Sequence, residues 1–197
     1  MMHGLEAHAT KDACARMTGM DEMVVSVFGT GRARAGESAY VLGEQVGRAL
    51  AEAGFAIANG GYGGTMHAAA KGAAAVGGAV IGVTCSAFKN SVVNEYVTRE
   101  IVTNSLDERL QKLVELGQGY VVLPGGTGTL LELATVWELK NKGFLDRAKP
   151  IVLAGEFWQP LVDLVAQDDP ACLKHVAFAG NPEQAADLLR KALHHES

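Results

Sequence analysis

The chain has 197 residues, enough for one domain burying roughly two-thirds to three-quarters of its unfolded surface. A formal charge of -5 and a pI near 5.7 argue against nonspecific nucleic-acid binding, although a local basic site could still exist inside an acidic molecule. Glycines interrupt the apolar runs well short of the ~20 residues that cross a bilayer, so neither nucleic acid nor membrane is an expected partner. Cys14, Cys85 and Cys172 are odd in number and widely spaced, which suggests neither a disulfide framework nor a zinc site and fits a reducing cytoplasm. Residues 1–21 mix His, Lys, Asp, Glu and Arg without the apolar centre of a signal peptide. They are expected to form a loosely ordered tail before a single domain over 22–197.

In chain order, strand formers at 23–28 end in Gly29-Thr30-Gly31, and 37–53 then carries apolar residues at helical spacing. A second strand is expected at 54–58. Asn59-Gly60-Gly61-Tyr62-Gly63-Gly64-Thr65 follows as a second glycine-rich loop, opening an Ala-rich helix over 66–76. A third strand at 79–83 leads into a polar, irregular stretch, 84–95, expected to border a site. The fourth strand, 96–102, is weakened by Thr98, Arg99 and Glu100. Ser105 and Glu108 then have capping-box spacing at the head of a helix reaching Leu116. After a fifth strand, 119–123, comes Pro124-Gly125-Gly126-Thr127-Gly128-Thr129-Leu130-Leu131-Glu132, with a helix expected over 130–140. A strand at 151–154, a helix at 157–166, a strand at 175–179 and a closing helix at 182–194 complete the pattern. Strands alternating with helices, each strand apolar on both faces, specify an α/β, Rossmann-like, doubly wound, mainly parallel sheet with helices on both faces. Its three glycine-rich loops would share the carboxyl edge where such sheets bind ligands.

The loop after the fifth strand suits an anion. Its glycines let a ligand approach the backbone, and the first amides of a helix lack partners and lie at the positive end of the dipole. Glu132 is expected in the first helical turn beside that anion, where an acid needs an explanation. Catalysis is one. The other is structural, because Thr129 and Glu132 also have capping-box spacing. The first loop begins like a dinucleotide fingerprint, but Arg34 stands at the third glycine and Asn59 replaces the expected acid, which makes NAD unlikely. Neither the first nor the second loop carries the Gly-Lys-Ser/Thr of an ATPase P-loop.

Taken together, Gly60-Gly61-Tyr62-Gly63-Gly64-Thr65-Met66, Asp107-Glu108-Arg109 and Pro124-Gly125-Gly126-Thr127-Gly128-Thr129-x-x-Glu132 resemble the LONELY GUY (LOG) family, often labelled possible lysine decarboxylases. The resemblance spans roughly residues 23–164. It implies a dimeric Rossmann-like hydrolase that cleaves the N-glycosidic bond of nucleoside 5'-monophosphates, of AMP or cytokinin type, without metal or cofactor. By position, Glu132 matches the catalytic carboxylate and Arg109 the catalytic arginine. Gly29, Thr30, Gly60, Gly61, Gly63, Gly64, Pro124, Gly125, Gly126, Thr127, Gly128 and Thr129 are the expected substrate-binding residues.

The chain also departs from that pattern: Leu110 follows Arg109 where a lysine is common, Leu131 precedes Glu132 where a glutamate is common, and Glu138 replaces a substrate-contacting threonine of plant-type members. A second acid in the pocket would alter its charge, so cytokinin specificity is not expected. Glu95 stands where the family can place a ligand-contacting acid. Tyr62, Met66 and Trp137 are expected to line or pack, and His67 to pack or face solvent. The rival reading is a noncatalytic carrier of a nucleotide or molybdenum cofactor. Decarboxylation with pyridoxal phosphate would need a Schiff-base lysine near a phosphate loop. None of the three glycine loops contains one.

Overall fold

The computed structural model describes residues 23–89, 91–146 and 148–194, so the expected tail over 1–21 lies outside the described residues. Seven strands, β1 (Val24–Phe28), β2 (Ala56–Asn59), β3 (Val80–Cys85), β4 (Arg99–Thr103), β5 (Gly119–Val122), β6 (Ile151–Ala154) and β7 (Val176–Ala179), form one sheet in the order β4-β3-β2-β1-β5-β6-β7. Every pairing is parallel. The helices are α1 (Ser38–Glu52), α2 (Thr65–Ala74), α3 (Leu106–Leu116), α4 (Thr127–Asn141), α5 (Gln159–Ala166) and α6 (Pro182–His194), with a 3-10 turn at Pro170–His175 that the sequence pattern did not announce.

Successive strand residues point to opposite faces, and both faces are covered. Val25, Val27, Val121, Leu123, Val152 and Ala154 pack under α1, α2 and α6 with Val46, Leu50, Ala69, Ala73 and Leu189. Phe28, Tyr120, Val122, Ile151 and Leu153 pack on the other face with Leu113 of α3, Leu133 and Trp137 of α4, and Val162 of α5. Each fully buried aliphatic side chain contributes about 1.5–3 kcal/mol. Together these two layers fix the register of the sheet. At its border, β4 starts at Arg99 rather than residue 96, and its exposed Arg99 and Glu100 suit an edge strand.

Two local features set the geometry of the carboxyl edge. First, α1 and α2 meet backbone to backbone. A Cβ on Gly47 would lie 2.0 Å from the Ala69 carbonyl oxygen, and one on Gly72 would lie 1.9 Å from that of Glu44. The small residues of α2 therefore serve contact with a helix as well as with the sheet. Second, α4 begins at Thr127, earlier than the glycine content suggested, with Gly126 at its N-cap and no side-chain cap. Glu132 consequently sits in the second turn rather than the first, and the Thr129–Glu132 capping box does not form. Glycine is tolerated in the opening turn because amides there have no intrahelical partner to lose.

Candidate functional site

The strand order reverses between β1 and β5, so the loops leaving these two strands diverge and open a crevice at the carboxyl edge. The loop after β1 is wedged into place. Gly29 has room for no side chain, since a Cβ there would lie 2.2 Å from Thr65 Oγ1 and 3.2 Å from Leu123 Cβ. The Thr30 carbonyl accepts from the Thr65 amide at 2.8 Å and from its hydroxyl at 3.1 Å, tying this loop to the start of α2.

The loop after β2 is braced by two asparagines. Asn59 accepts from the Gly61 amide at 2.8 Å and donates to the Met66 carbonyl at 3.1 Å, while the Asn94 amide donates to the carbonyls of Gly61 and Tyr62 at 3.1 and 3.0 Å. Asn59, at the place of a dinucleotide acid, thus has its hydrogen bonds used within the loop. Gly61 and Gly64 adopt φ of +75° and +66°, and a Cβ on Gly64 would strike the Thr30 carbonyl oxygen at 2.1 Å. Gly60 is glycine for another reason: a Cβ would fall 1.6 Å from Arg109 Nη2. Gly63 is exposed.

In the third loop, Trp158 donates from its indole nitrogen to the Leu123 carbonyl at 3.1 Å, fixing the approach to Pro124. A Cβ on Gly125 would lie 2.1 Å from Thr129 Oγ1, so this glycine accommodates the buried threonine. That hydroxyl is itself buried without a hydrogen-bond partner. Gly126, Thr127 and Gly128 are exposed, and nothing lies within 4 Å of where a Cβ on either glycine would be. The head of α4 therefore combines free amide donors with open space.

Arg109, from the first turn of α3, and Glu132 reach into this region from neighbouring helices. Arg109 Nη1 stands 3.7 Å from Glu132 Oε1, with only 9% and 12% of the two side chains exposed. The separation exceeds a hydrogen bond, so this is an ion pair without the direct donor contact that would secure it. On its far side, the guanidinium donates from Nε to the Val83 carbonyl at 2.8 Å and lies 3.9 Å from Met66 Sδ. The Tyr62 and Phe88 rings approach it at 5.7 and 5.8 Å. Burial pushes the Glu132 carboxyl up to about 7, a rise that Arg109 opposes only partly.

The remaining candidates lie elsewhere. His67 bridges Tyr40 at 2.7 Å and Glu95 at 3.3 Å, so Glu95 pairs with His67 rather than with Arg109. Glu138 corrects an expectation. It pairs with Lys142 at 3.5 Å and lines a separate cavity of about 500 Å³ with Trp137, Asn141, Asp169 and Cys172. Six residues beyond Glu132, it has turned to another side of α4. Leu110 packs partly buried against the α3–α4 core. Trp137 is buried, its indole nitrogen donating to the Cys172 carbonyl. Phe88 and Asn94 were not singled out in the sequence, although both fall in the stretch expected to border the site. Among the described residues, no group of three or more His, Cys, Asp or Glu is placed to hold a metal, and no helix is long and apolar enough to cross a membrane.

The model of the family described as possible lysine decarboxylase matches residues 66–189, which includes Arg109 and the whole third loop. This chain belongs to that family. An uncharacterised protein of Archaeoglobus fulgidus is 31% identical over 136 residues, 69% of this chain and 87% of its own. Among solved structures, the molybdenum cofactor binding protein of Rippkaea orientalis superposes with a TM-score of 0.72 at 26% identity, covering 88% of this chain and 98% of its own. The molybdenum cofactor carrier protein of Chlamydomonas reinhardtii gives 0.71 at 27% identity, covering 87% and 98%. The names of both of these structural relatives denote binding rather than catalysis.

Proposed function

We propose that this protein hydrolyses nucleoside 5'-monophosphates to a free base and ribose 5-phosphate, with Glu132 and Arg109 as catalytic residues. One observation carries the reading: a carboxyl group lifted to about 7 by burial faces a guanidinium 3.7 Å away, beside Gly60 of the second glycine-rich loop. A pocket that only held an anion would gain nothing from a buried acid, whereas a general base is most useful when it titrates near working pH. The open glycines and free amides heading α4 supply the phosphate end, as do the residues of the first two loops. In the reaction the C1'–N bond breaks and a C1'–O bond to water forms. Glu132 stabilises the positive charge that develops on the sugar and accepts the water's proton, which then passes to the departing base and restores the carboxylate. Arg109 holds phosphate or ribose oxygens so that C1' stays against the carboxylate.

The second reading, a carrier, draws on the likeness to molybdenum-cofactor-binding proteins, whose cargo is also a phosphate-bearing small molecule. Incubation with AMP and related monophosphates separates the two. Free base released by the protein and lost in Glu132→Gln supports hydrolysis. Tight binding without base release supports carriage. Decarboxylation has little behind it, because the phosphate-ready loops contain no lysine and Lys71 and Lys140 are bonded to Glu44 and to the Lys149 carbonyl. The working form is a cytoplasmic homodimer. Leu106 of α3 and Leu131 of α4 are exposed, and a groove of about 410 Å³ is lined by Leu110, Val114, Thr135 and Leu139 together with Asp107, Gln111 and Glu115, a mixed face suited to a second copy.

A further inference from the structure

Arg109 Nη1 stops short of a hydrogen bond to Glu132, and the rest of the guanidinium is engaged by other groups. Nε is committed to the Val83 carbonyl at 2.8 Å, and Nη2 rests near Met66 Sδ in the space left by Gly60. The rings of Tyr62 and Phe88, 6.0 Å apart, stand at nearly equal distances from the guanidinium carbon. Tyr62 cannot drift, because its hydroxyl accepts from the Cys85 amide at 2.7 Å and Asn94 holds its carbonyl. Phe88 comes from the irregular β3–β4 segment and is only partly buried. A cation beside two aromatic faces is attracted to them, more strongly where water is excluded.

We infer that Phe88, backed by Tyr62, is a positioning residue that draws the Arg109 guanidinium away from Glu132 and keeps the two charges from closing into a hydrogen-bonded salt bridge. The inference rests on the proposed catalytic pair but concerns its tuning. A carboxylate gripped by arginine loses its proton easily and is a poor base. Held back, the guanidinium stays free for substrate oxygens, and Glu132 keeps its affinity for a proton. Burial and Arg109 are the two influences on this carboxyl, and Tyr62 is the titratable group beside Arg109.

The test is a carbon-13 NMR titration of the Glu132 carboxyl, assigned by its disappearance in Glu132→Gln, in the wild type, Phe88→Leu and Phe88→Trp. Leucine keeps the apolar cover and removes the ring, while tryptophan restores an aromatic face. The expected result is a midpoint lowered by about one pH unit in Phe88→Leu and restored in Phe88→Trp. A crystal structure of Phe88→Leu should show the Arg109–Glu132 separation shortened into hydrogen-bonding range. Identical midpoints in wild type and Phe88→Leu would overturn the inference. So would a lowered midpoint with an unchanged separation, since that would assign the effect to hydration. The titration needs no turnover, so a protein that releases no base would sink the hydrolase reading and leave this test standing.

Discussion

A carboxyl group buried in the second turn of α4 costs stability whenever it is charged. Folding raises Glu132 from the usual 4.5 to about 7, so the folded state binds its proton more tightly than the unfolded chain does. The stabilisation from that proton is complete below pH 4.5 and is lost as pH rises to about 7. Comparing pH 5 with pH 8, Glu132→Gln should gain on the wild type by about 2–3 kcal/mol in urea unfolding. Using a difference between two pH values cancels the constant effect of leaving Arg109 without its counter-ion. Equal pH dependence in both proteins would show that Glu132 is not buried as described. If Glu132 is the base, the same substitution lowers base release by about 10²–10⁴-fold. The acid limb of kcat/KM in the wild type should then have its midpoint near 7, the value at which the carboxylate forms. Glu132 could be named in advance because a glycine-rich strand-to-helix turn followed by an acid is a local pattern, whereas Arg109 was expected only through the family resemblance. Their closeness was not legible, because it depends on how α3 and α4 lean together. Nor were Phe88 and Asn94, whose neighbours are distant in sequence and whose segment has no periodicity.

At the level of elements, the glycines separate into two kinds with different expected phenotypes. Gly126→Ala and Gly128→Ala add a methyl group into open space, so thermal unfolding should hardly change while phosphate affinity falls. Gly125→Ala pushes against Thr129 at the same turn, and Gly47→Ala drives a methyl into the α2 backbone. Both should destabilise by about 1–3 kcal/mol in denaturant unfolding. Normal affinity in Gly126→Ala and Gly128→Ala would move the anion site away from α4. The strands and helices were legible in order and type because period-2 and period-3.6 apolar patterns are carried by neighbouring residues. Boundaries were not: α4 started early because its opening glycines cost little there, and the 3-10 turn at Pro170–His175 has no apolar repeat to announce it. The Ser105 cap held, with its hydroxyl accepting from the Glu108 amide at 3.1 Å, although Glu108 returns the bond to Asn104 instead.

For the whole molecule, the all-parallel sheet and its two covered faces followed from strands apolar throughout, and the reversal between β1 and β5 gave the crevice its place. Assembly is a separate question, since no strand pattern encodes a subunit contact. If the α3–α4 face joins two copies, light scattering of the wild type should give a dimer, and Leu106→Glu with Leu131→Glu should give a monomer of unchanged circular dichroism. A monomeric wild type would remove that face from consideration.

The seam where strand order reverses also divides the chain's history. Strands β1 to β4 form one flank of the sheet, and the helix after β4 contributes the guanidinium, while β5 to β7 form the other flank and the helix after β5 contributes the acid. As the chain leaves the ribosome, the earlier half emerges with only one of the two groups, and β1 has no neighbour on its outer side until β5 arrives. Cutting the chain between these halves and supplying them as separate fragments would make recovered chemistry a direct gauge of their reunion.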